Sequence, residues 1–241
     1  MHYNVILMSG KGQRFIDEGY LIPKPLLEVN GSMMFENSMK NLPDCDMWIF
    51  SINNDILKSE KFNQFIKHFQ HPYEVVHIDE TTNGQATSCL LAVEKLNEQD
   101  SFFVSSCDVI LDQKLNITDF GNSDVALVTK EPTSTQLNNS SSYGWLQSNN
   151  GKTTVICKGE PNLSLDPFVI VGSFFFSKKS IFTKGYEKIE SNNLFINNEL
   201  YIDVLVSELI ADNFKFQNII DNSIIIGTPL EYENYQTIKG E

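Results

Sequence analysis

Short apolar runs alternate with helix-like patterns through the first half of the chain. Residues 4–8, with the unbroken apolar run Val5-Ile6-Leu7-Met8, read as a buried strand, and residues 47–52 read as a second one. Between them, residues 33–42 read as a helix that follows the Asn30-Gly31 turn. Residues 59–69 carry Phe62, Phe65, Ile66 and Phe69 at helical spacing, with Ser59 placed as an N-cap. A third strand is predicted at residues 73–78, then a helix at 86–96 bearing Leu90, Leu91, Val93 and Leu96, then a fourth strand at 102–107. Strands that alternate with helices predict βαβ units. The fold class is therefore α/β, with a mainly parallel mixed sheet flanked by helices and ligands expected at the carboxyl ends of the strands.

The rhythm changes after a strand expected at residues 124–129. Residues 133–150 are crowded with Ser, Thr, Asn and Gln, and 134–142 read as a mobile loop. Strands follow at 145–147, 153–157 and 168–176, the first two separated by the turn residues Asn149, Asn150 and Gly151. They predict a smaller antiparallel β layer in the second half. Helices are expected at 178–190 and 200–211, strands at 214–219 and 224–226, and a last helix opened by Pro229 in the favoured first-turn position. With no internal repeat and no linker, residues 1–241 read as a single domain.

Composition narrows the function classes. A formal net charge of -13 argues against a general nucleic-acid binder, which needs a broad basic face, so any anion site must be local. Cys45, Cys89, Cys107 and Cys157 are scattered, without the close pairs that a zinc site or redox dithiol requires. The four histidines are likewise unclustered. No run has the length of a membrane span and the opening run lacks the flanks of a secretory signal, so a cytoplasmic protein is expected.

Candidate chemistry gathers in three places. The first is the stretch Leu7-Met8-Ser9-Gly10-Lys11-Gly12-Gln13-Arg14, followed by Pro23-Lys24-Pro25. Glycines let backbone N–H groups approach oxygen anions, a guanidinium can fork across two phosphate oxygens, and prolines on both sides stiffen the backbone of Lys24. Arg14 is the sole arginine of the chain. Phe15 stands where a dinucleotide fingerprint needs its third glycine, and the Gly-Lys-Ser/Thr of a P-loop is absent. The second place is Thr82-Asn83-Gly84-Gln85-Ala86, where the amides of Asn83 and Gln85 suit a base edge, although a polar helix cap has the same appearance. In the third, an apolar strand delivers Asp108 at its carboxyl end, a position that suits Mg²⁺ held with phosphate oxygens or, equally, a turn aspartate.

Taken together, Gly10-x-Gly12-x-Arg14-Phe15 with Pro23-Lys24-Pro25-Leu26, Thr82-x-Gly84-x-Ala86 and Ser106-Cys107-Asp108 resemble the nucleotidyltransferases of the Rossmann-like, glycosyltransferase-A-like fold, and most of all a branch associated with bacterial capsular polysaccharide synthesis. Fainter echoes at Tyr143-Gly144, in the Val171-Gly172-Ser173 run and at Gly227-Thr228-Pro229 extend the likeness along the chain. The resemblance implies an enzyme that joins a nucleoside monophosphate from an NTP to a phosphorylated sugar or similar small molecule, releases pyrophosphate and uses Mg²⁺. It implies a nucleotide-binding core in residues 1–130 and an acceptor-binding part in 131–241. It also implies that residues 7–12, with Asn83, Gly84, Gln85 and Cys107, hold the nucleotide, Arg14 the leaving pyrophosphate, Lys24 the α-phosphate and Asp108 the metal. Lys158, Glu160 and Gly172 would then meet the acceptor. The partners implied are an NTP and the acceptor, without nucleic acid or membrane, and homo-oligomerisation stays open.

Two departures from the family pattern stand out. Lys158-Gly159-Glu160-Pro161 replaces a Glu-Lys-x-Pro, so that Glu160 would repel an acceptor phosphate. Ile225 and Ile226 replace an acidic second metal ligand, for which Asp203 or Asp221 are the substitutes at hand, with Asp203 and Glu199 equally readable as helix-start acids. Alternative readings are a glycosyltransferase of the same fold that uses a nucleotide sugar, and a nucleotide-binding relative that has lost catalysis.

Overall fold

The computed structural model describes residues 1–239. Its strands are β1 (His2–Met8), β2 (Glu28–Val29), β3 (Ser32–Met33), β4 (Met47–Ile52), β5 (Tyr73–His77), β6 (Ser101–Ser106), β7 (Val109–Ile110), β8 (Val125–Lys130), β9 (Gly144–Asn149), β10 (Lys152–Cys157), β11 (Phe168–Phe176), β12 (Phe216–Ile220) and β13 (Ile224–Ile225). The helices are α1 (Gln13–Asp17), α2 (Met34–Met39), α3 (Asn54–Leu57), α4 (Glu60–His68), α5 (Gln85–Ala92), α6 (Ser134–Asn138), α7 (Lys179–Ser191), α8 (Ile202–Ala211) and α9 (Pro229–Lys239). No helix among the described residues is long and apolar enough to cross a membrane.

β1 lies at the centre, parallel to β4 on one side and to β6 on the other, and β5 continues the parallel order beyond β4. β11 runs antiparallel to both β6 and β8, and β12 returns parallel to β8. The β9–β10 hairpin pairs with the first half of β11, so the antiparallel part of the fold is continuous with the main sheet. Alternate residues of β1 feed opposite cores. Val5 packs with Val104, Phe182 and Leu205 on the face of α5, α7 and α8, while Ile6 packs with Phe35, Phe50 and Phe62 on the face of α2 and α4. Burial on both faces is why the central strands read as unbroken apolar runs and show no alternation.

Local chemistry moves several boundaries. The helix expected at 33–42 spans only Met34–Met39, directly after a tight hairpin between β2 and β3 that Asn30 and Gly31, with φ of 51° and 73°, close. Ser59 occupies the N-cap of α4 but makes no capping hydrogen bond. The stretch expected to be a mobile loop at 134–142 is ordered. Thr133 and Gln136 cap α6 reciprocally, with Gln136 N–H donating to Thr133 Oγ1 at 3.3 Å, and Trp145 Nε1 donates to Ser140 O at 2.9 Å. The same hydroxyls and amides that suggested mobility satisfy the backbone of a short helix. α1, directly behind the glycine loop, and α3, capped by Asn53, were not expected.

Candidate functional site

β4 and β6 depart to opposite sides of β1, which makes the carboxyl end of β1 the topological switch point of the sheet, where such folds open a crevice. A cleft of about 420 Å³ lies there. Leu7, Met8, Ser9, Gly10, Lys11 and Gly12 form one wall, and Gly84, Gln85, Cys107 and Asp108 contribute to the others. Asn53 pins the loop from below, its Nδ2 donating to Ser9 O at 3.3 Å and Gly10 O at 3.4 Å. Gly12 has a φ of 66°, and a Cβ there would come within 3.1 Å of Lys24 Cβ, so the glycine lets the loop fold down on the lysine. Lys11 lines the cleft without any ion pair among the described residues.

Lys24 opens a single 3-10 turn, Lys24–Leu26, held by Leu26 N–H donating to Pro23 O at 2.8 Å. Its ammonium bonds Asp108 Oδ2, donates to Gly227 O at 3.3 Å and lies 5.5 Å from the centre of the Phe15 ring. Both partners are mostly buried, with side-chain exposures of 14% for Lys24 and 16% for Asp108. Burial by itself lowers the pKa of Lys24. Asp108, together with Cys107 and Glu231, more than offsets this, so the ammonium stands above its ordinary value and is charged throughout the neutral range.

The turn before α5 is bolted to the segment before α8. Leu200 N–H donates to Asn83 O at 2.6 Å and Ala86 N–H donates to Leu200 O at 2.9 Å. Asn83, expected at the nucleotide, does not line the cleft: its side chain is exposed, and its backbone carbonyl is the acceptor in this clasp. Gln85 faces inward, donating from Nε2 to Ser106 Oγ at 3.1 Å.

A second cleft of about 310 Å³ opens on the other side of the Lys24–Asp108 pair. Lys24, Gln85, Ser106 and Asp108 line both clefts, so these residues are the shared wall. Arg14, Lys158, Gly172 and Asp203 line the second cleft; Arg14, on α1, is therefore beside Tyr143 on that side and does not line the glycine-loop cleft. Gly172, with a φ of 89°, sits at the β-bulge of β11, where the strand changes neighbour from β9 to β6 and opens the cleft floor. Glu160 is not in this cleft. Its carboxylate accepts from the Ser140 hydroxyl instead, so its charge does not line this cleft.

Asp221 also drops out as a metal ligand. Its carboxylate is 6% exposed and holds the backbone N–H groups of Asp112 at 3.0 Å and Gln113 at 3.1 Å, together with the Ser223 hydroxyl. Glu231 is a residue of the second cleft that the sequence reading missed. It lines the second cleft and accepts from Gly227 N–H at 2.9 Å, Thr228 Oγ1 at 3.0 Å and Tyr143 OH at 2.7 Å. The available signal was Thr228-Pro229-x-Glu231, the spacing of a capping box at the mouth of α9.

Among the described residues no three His, Cys, Asp or Glu side chains converge as a metal cage. Asp108 nevertheless suits Mg²⁺, which binds through one or two carboxylates and takes its remaining ligands from water and substrate phosphates. Asp203 is 8% exposed, and burial pushes its carboxyl up to about 6 while nearby Lys158 pulls the other way. Its folded pKa exceeds the unfolded one, so the folded state holds the extra proton between the two values and stability falls as pH rises through that window. Asp203→Asn is expected to stabilise the protein by up to about 3 kcal/mol above pH 7, with no gain near pH 3.5, as read from denaturant unfolding at the two pH values.

Residues 4–117 match the model of the MobA-like NTP transferase domain. The chain is 25% identical over 210 residues, 87% of its length, to the bifunctional protein GlmU of Methanococcus aeolicus, and covers 47% of that protein, so it spans about half the length of this relative. In fold it is similar to a nucleoside-diphosphate-sugar pyrophosphorylase from Vibrio cholerae RC9, with TM-score 0.76, 22% identity and coverage of 97% of this chain and 99% of the other. It is also similar to the inositol-1-phosphate CTP transferase from T. maritima, with TM-score 0.70, 14% identity and coverage of 99% and 96%. A UTP-bound UGPase from Acinetobacter baumannii has TM-score 0.72, 14% identity and coverage of 100% and 93%.

Proposed function

We infer that the protein is a nucleotidyltransferase that joins the nucleoside monophosphate of an NTP to a phosphorylated sugar or similar small molecule and releases pyrophosphate, a reading supported by the match of residues 4–117 to the model of the MobA-like NTP transferase domain. The observation that carries this reading is the shared wall. Two clefts, one behind a glycine loop and one lined by Arg14 and Lys158, meet at Lys24 and Asp108. A donor in the first and an acceptor in the second bring their phosphates together at that pair. The Vibrio cholerae and T. maritima proteins, whose names denote this kind of chemistry, share the fold.

The reaction asks for positioning more than for acid–base groups. A phosphate monoester is largely dianionic at neutral pH, its second pKa being about 6, so one of its oxygens can attack the α-phosphorus directly. A new O–P bond forms as the bond from the α-phosphorus to the bridging oxygen of pyrophosphate breaks, and the electron pair leaves with pyrophosphate. The Lys24 ammonium, aimed by its turn and by Asp108, stabilises charge on the α-phosphate, and Lys11 with the loop N–H groups steadies the rest of the triphosphate. Asp108 would hold Mg²⁺ together with phosphate oxygens, and the ion when bound supplies further neutralisation of phosphate charge. A place for the product in surface-polysaccharide synthesis rests on the motif resemblance.

Incubation with each of four NTPs, Mg²⁺ and a panel of phosphorylated small molecules, with pyrophosphate as readout and the product mass as check, tests the reading. Pyrophosphate is expected with at least one pair. Its absence across the panel, or transfer only from nucleotide sugars, would sink the proposal. Arg14→Ala is expected to lower kcat/KM about 100-fold without loss of folding, because the side chain is exposed and supplies a charge at the second cleft. Near-normal kinetics would remove Arg14 from the site.

A further inference from the structure

The carboxylates of the second cleft differ in how they are used. Asp108 holds Lys24, and Glu231 is filled by three donors. Asp203, at the first turn of α8, is 8% exposed, yet among the described residues no other group donates a hydrogen bond to it; its one protein donor is its own backbone N–H. Gly144 is shaped around it, since a Cβ there would fall 2.0 Å from Asp203 Oδ2. A buried carboxylate with free lone pairs is costly, and one that faces a cleft can be satisfied by donors that arrive with a ligand.

The neighbourhood indicates which donors. An organic ammonium would seek the carboxylate and an aromatic face beside it. Here the face of Tyr201 already carries the Lys158 ammonium, 5.7 Å from the ring centre, and that ammonium also donates to Ser142 O. A second cation would have to displace a resident one. Neutral hydroxyls meet no such competition and bring the O–H donors that Asp203 lacks.

We propose that Asp203 is a specificity-determining residue whose carboxylate accepts hydrogen bonds from hydroxyls of the acceptor, so that the acceptor class is a polyhydroxylated phosphate, a sugar or polyol phosphate, and not an aminoalkyl phosphate. This rests on reading the second cleft as the acceptor site. Asp203 then contributes to substrate choice and not to metal binding.

The test uses the full chain in steady-state pyrophosphate release, comparing wild type with Asp203→Asn and with Gly144→Ala, which leaves the charge but drives the carboxylate out of place. Each variant is expected to raise KM for the sugar or polyol phosphate by roughly 10- to 100-fold, the scale of a hydrogen bond to a charged group, with the KM for NTP and the Mg²⁺ half-saturation within about 2-fold of wild type. Removing one acceptor hydroxyl is expected to cost wild type more than Asp203→Asn, the coupling that a direct contact requires. A melting temperature for Asp203→Asn at or above wild type at pH 7.5 separates this role from a structural one. The inference is overturned if Asp203→Asn raises the Mg²⁺ requirement or the NTP KM, if the deoxy penalty is unchanged, or if aminoalkyl phosphates are the better substrates. Turnover with a phosphate that has no other hydroxyl overturns this inference and leaves the nucleotidyltransferase reading intact. No pyrophosphate with any acceptor removes both.

Discussion

Lys24→Ala is expected to cut turnover by about 10²- to 10³-fold, the scale of losing one preorganised charge donor. The lysine is held before any substrate arrives: Pro23 and Pro25 restrict its backbone, the turn that it opens is hydrogen-bonded, and its ammonium is fixed by Asp108 and Gly227 O. It is also shared by both clefts, so its loss removes charge where donor and acceptor phosphates meet. A second cost falls on Asp108, which at 16% side-chain exposure would keep a carboxylate with its counter-charge removed. The melting temperature should therefore fall as well. Lys24→Arg is not expected to restore the rate, because a planar fork does not occupy the place of a compact ammonium. Pyrophosphate release at saturating NTP and acceptor, with a thermal melt of each variant, decides the matter; a rate within a few-fold of wild type would mean that the shared wall is not where the chemistry occurs.

Gly84→Ala should damage both clefts at once. Gly84 has a φ of 111°, where L side chains are strained, and a Cβ would lie 2.6 Å from both the backbone N and O of Leu200 and 2.9 Å from Glu199 Cβ. The backbone must separate, and the pair of hydrogen bonds that clasps the turn to Leu200 must stretch or break. Residues either side of Leu200 serve different clefts, Glu199 the first and Tyr201 with Asp203 the second. Strain and forced separation together are expected to cost about 2–4 kcal/mol of stability and to raise KM for NTP and for acceptor together. Gly10→Ala is the control for stability: nothing lies within 4 Å of a Cβ there and its φ is not positive, so its melting temperature should match wild type. Equal melts for the two variants would show that the clasp does not hold the turn in place.

Which parts of the site were legible follows from how far apart its members lie along the chain. The glycine loop with Arg14 and Lys24, and the strand end at Asp108, are local patterns in which a few adjacent residues carry both the backbone shape and the chemistry. The same locality misled at residues 134–142, where the residue types of a loop also cap a helix and where Ser140 O accepts from Trp145 Nε1. At Asn83 the pattern did not show that the backbone carbonyl clasps Leu200 while the side chain stays exposed outside the cleft. Glu160 carried a charge that looked misplaced only as long as the direction of its side chain was unknown.

Periodicity and turn chemistry in the sequence by themselves determined the α/β class, the central parallel strands, and the loop and strand end that form one wall of the first cleft. They suffice for those because each depends on residues within a turn or two of one another, and because strands buried on both faces leave an unbroken apolar run. The tertiary structure alone decided that a second cleft shares Lys24, Gln85, Ser106 and Asp108 with the first, that Arg14 faces that side, that Glu231 is part of it, and that Asp203 is buried in it beside Gly144 with free lone pairs. Those relations join residues from distant parts of the chain. They exist only once β11 changes neighbour at Gly172 and α8 and α9 bring Asp203 and Glu231 to the same cleft, and no spacing in the sequence encodes where a side chain from one of these elements meets another.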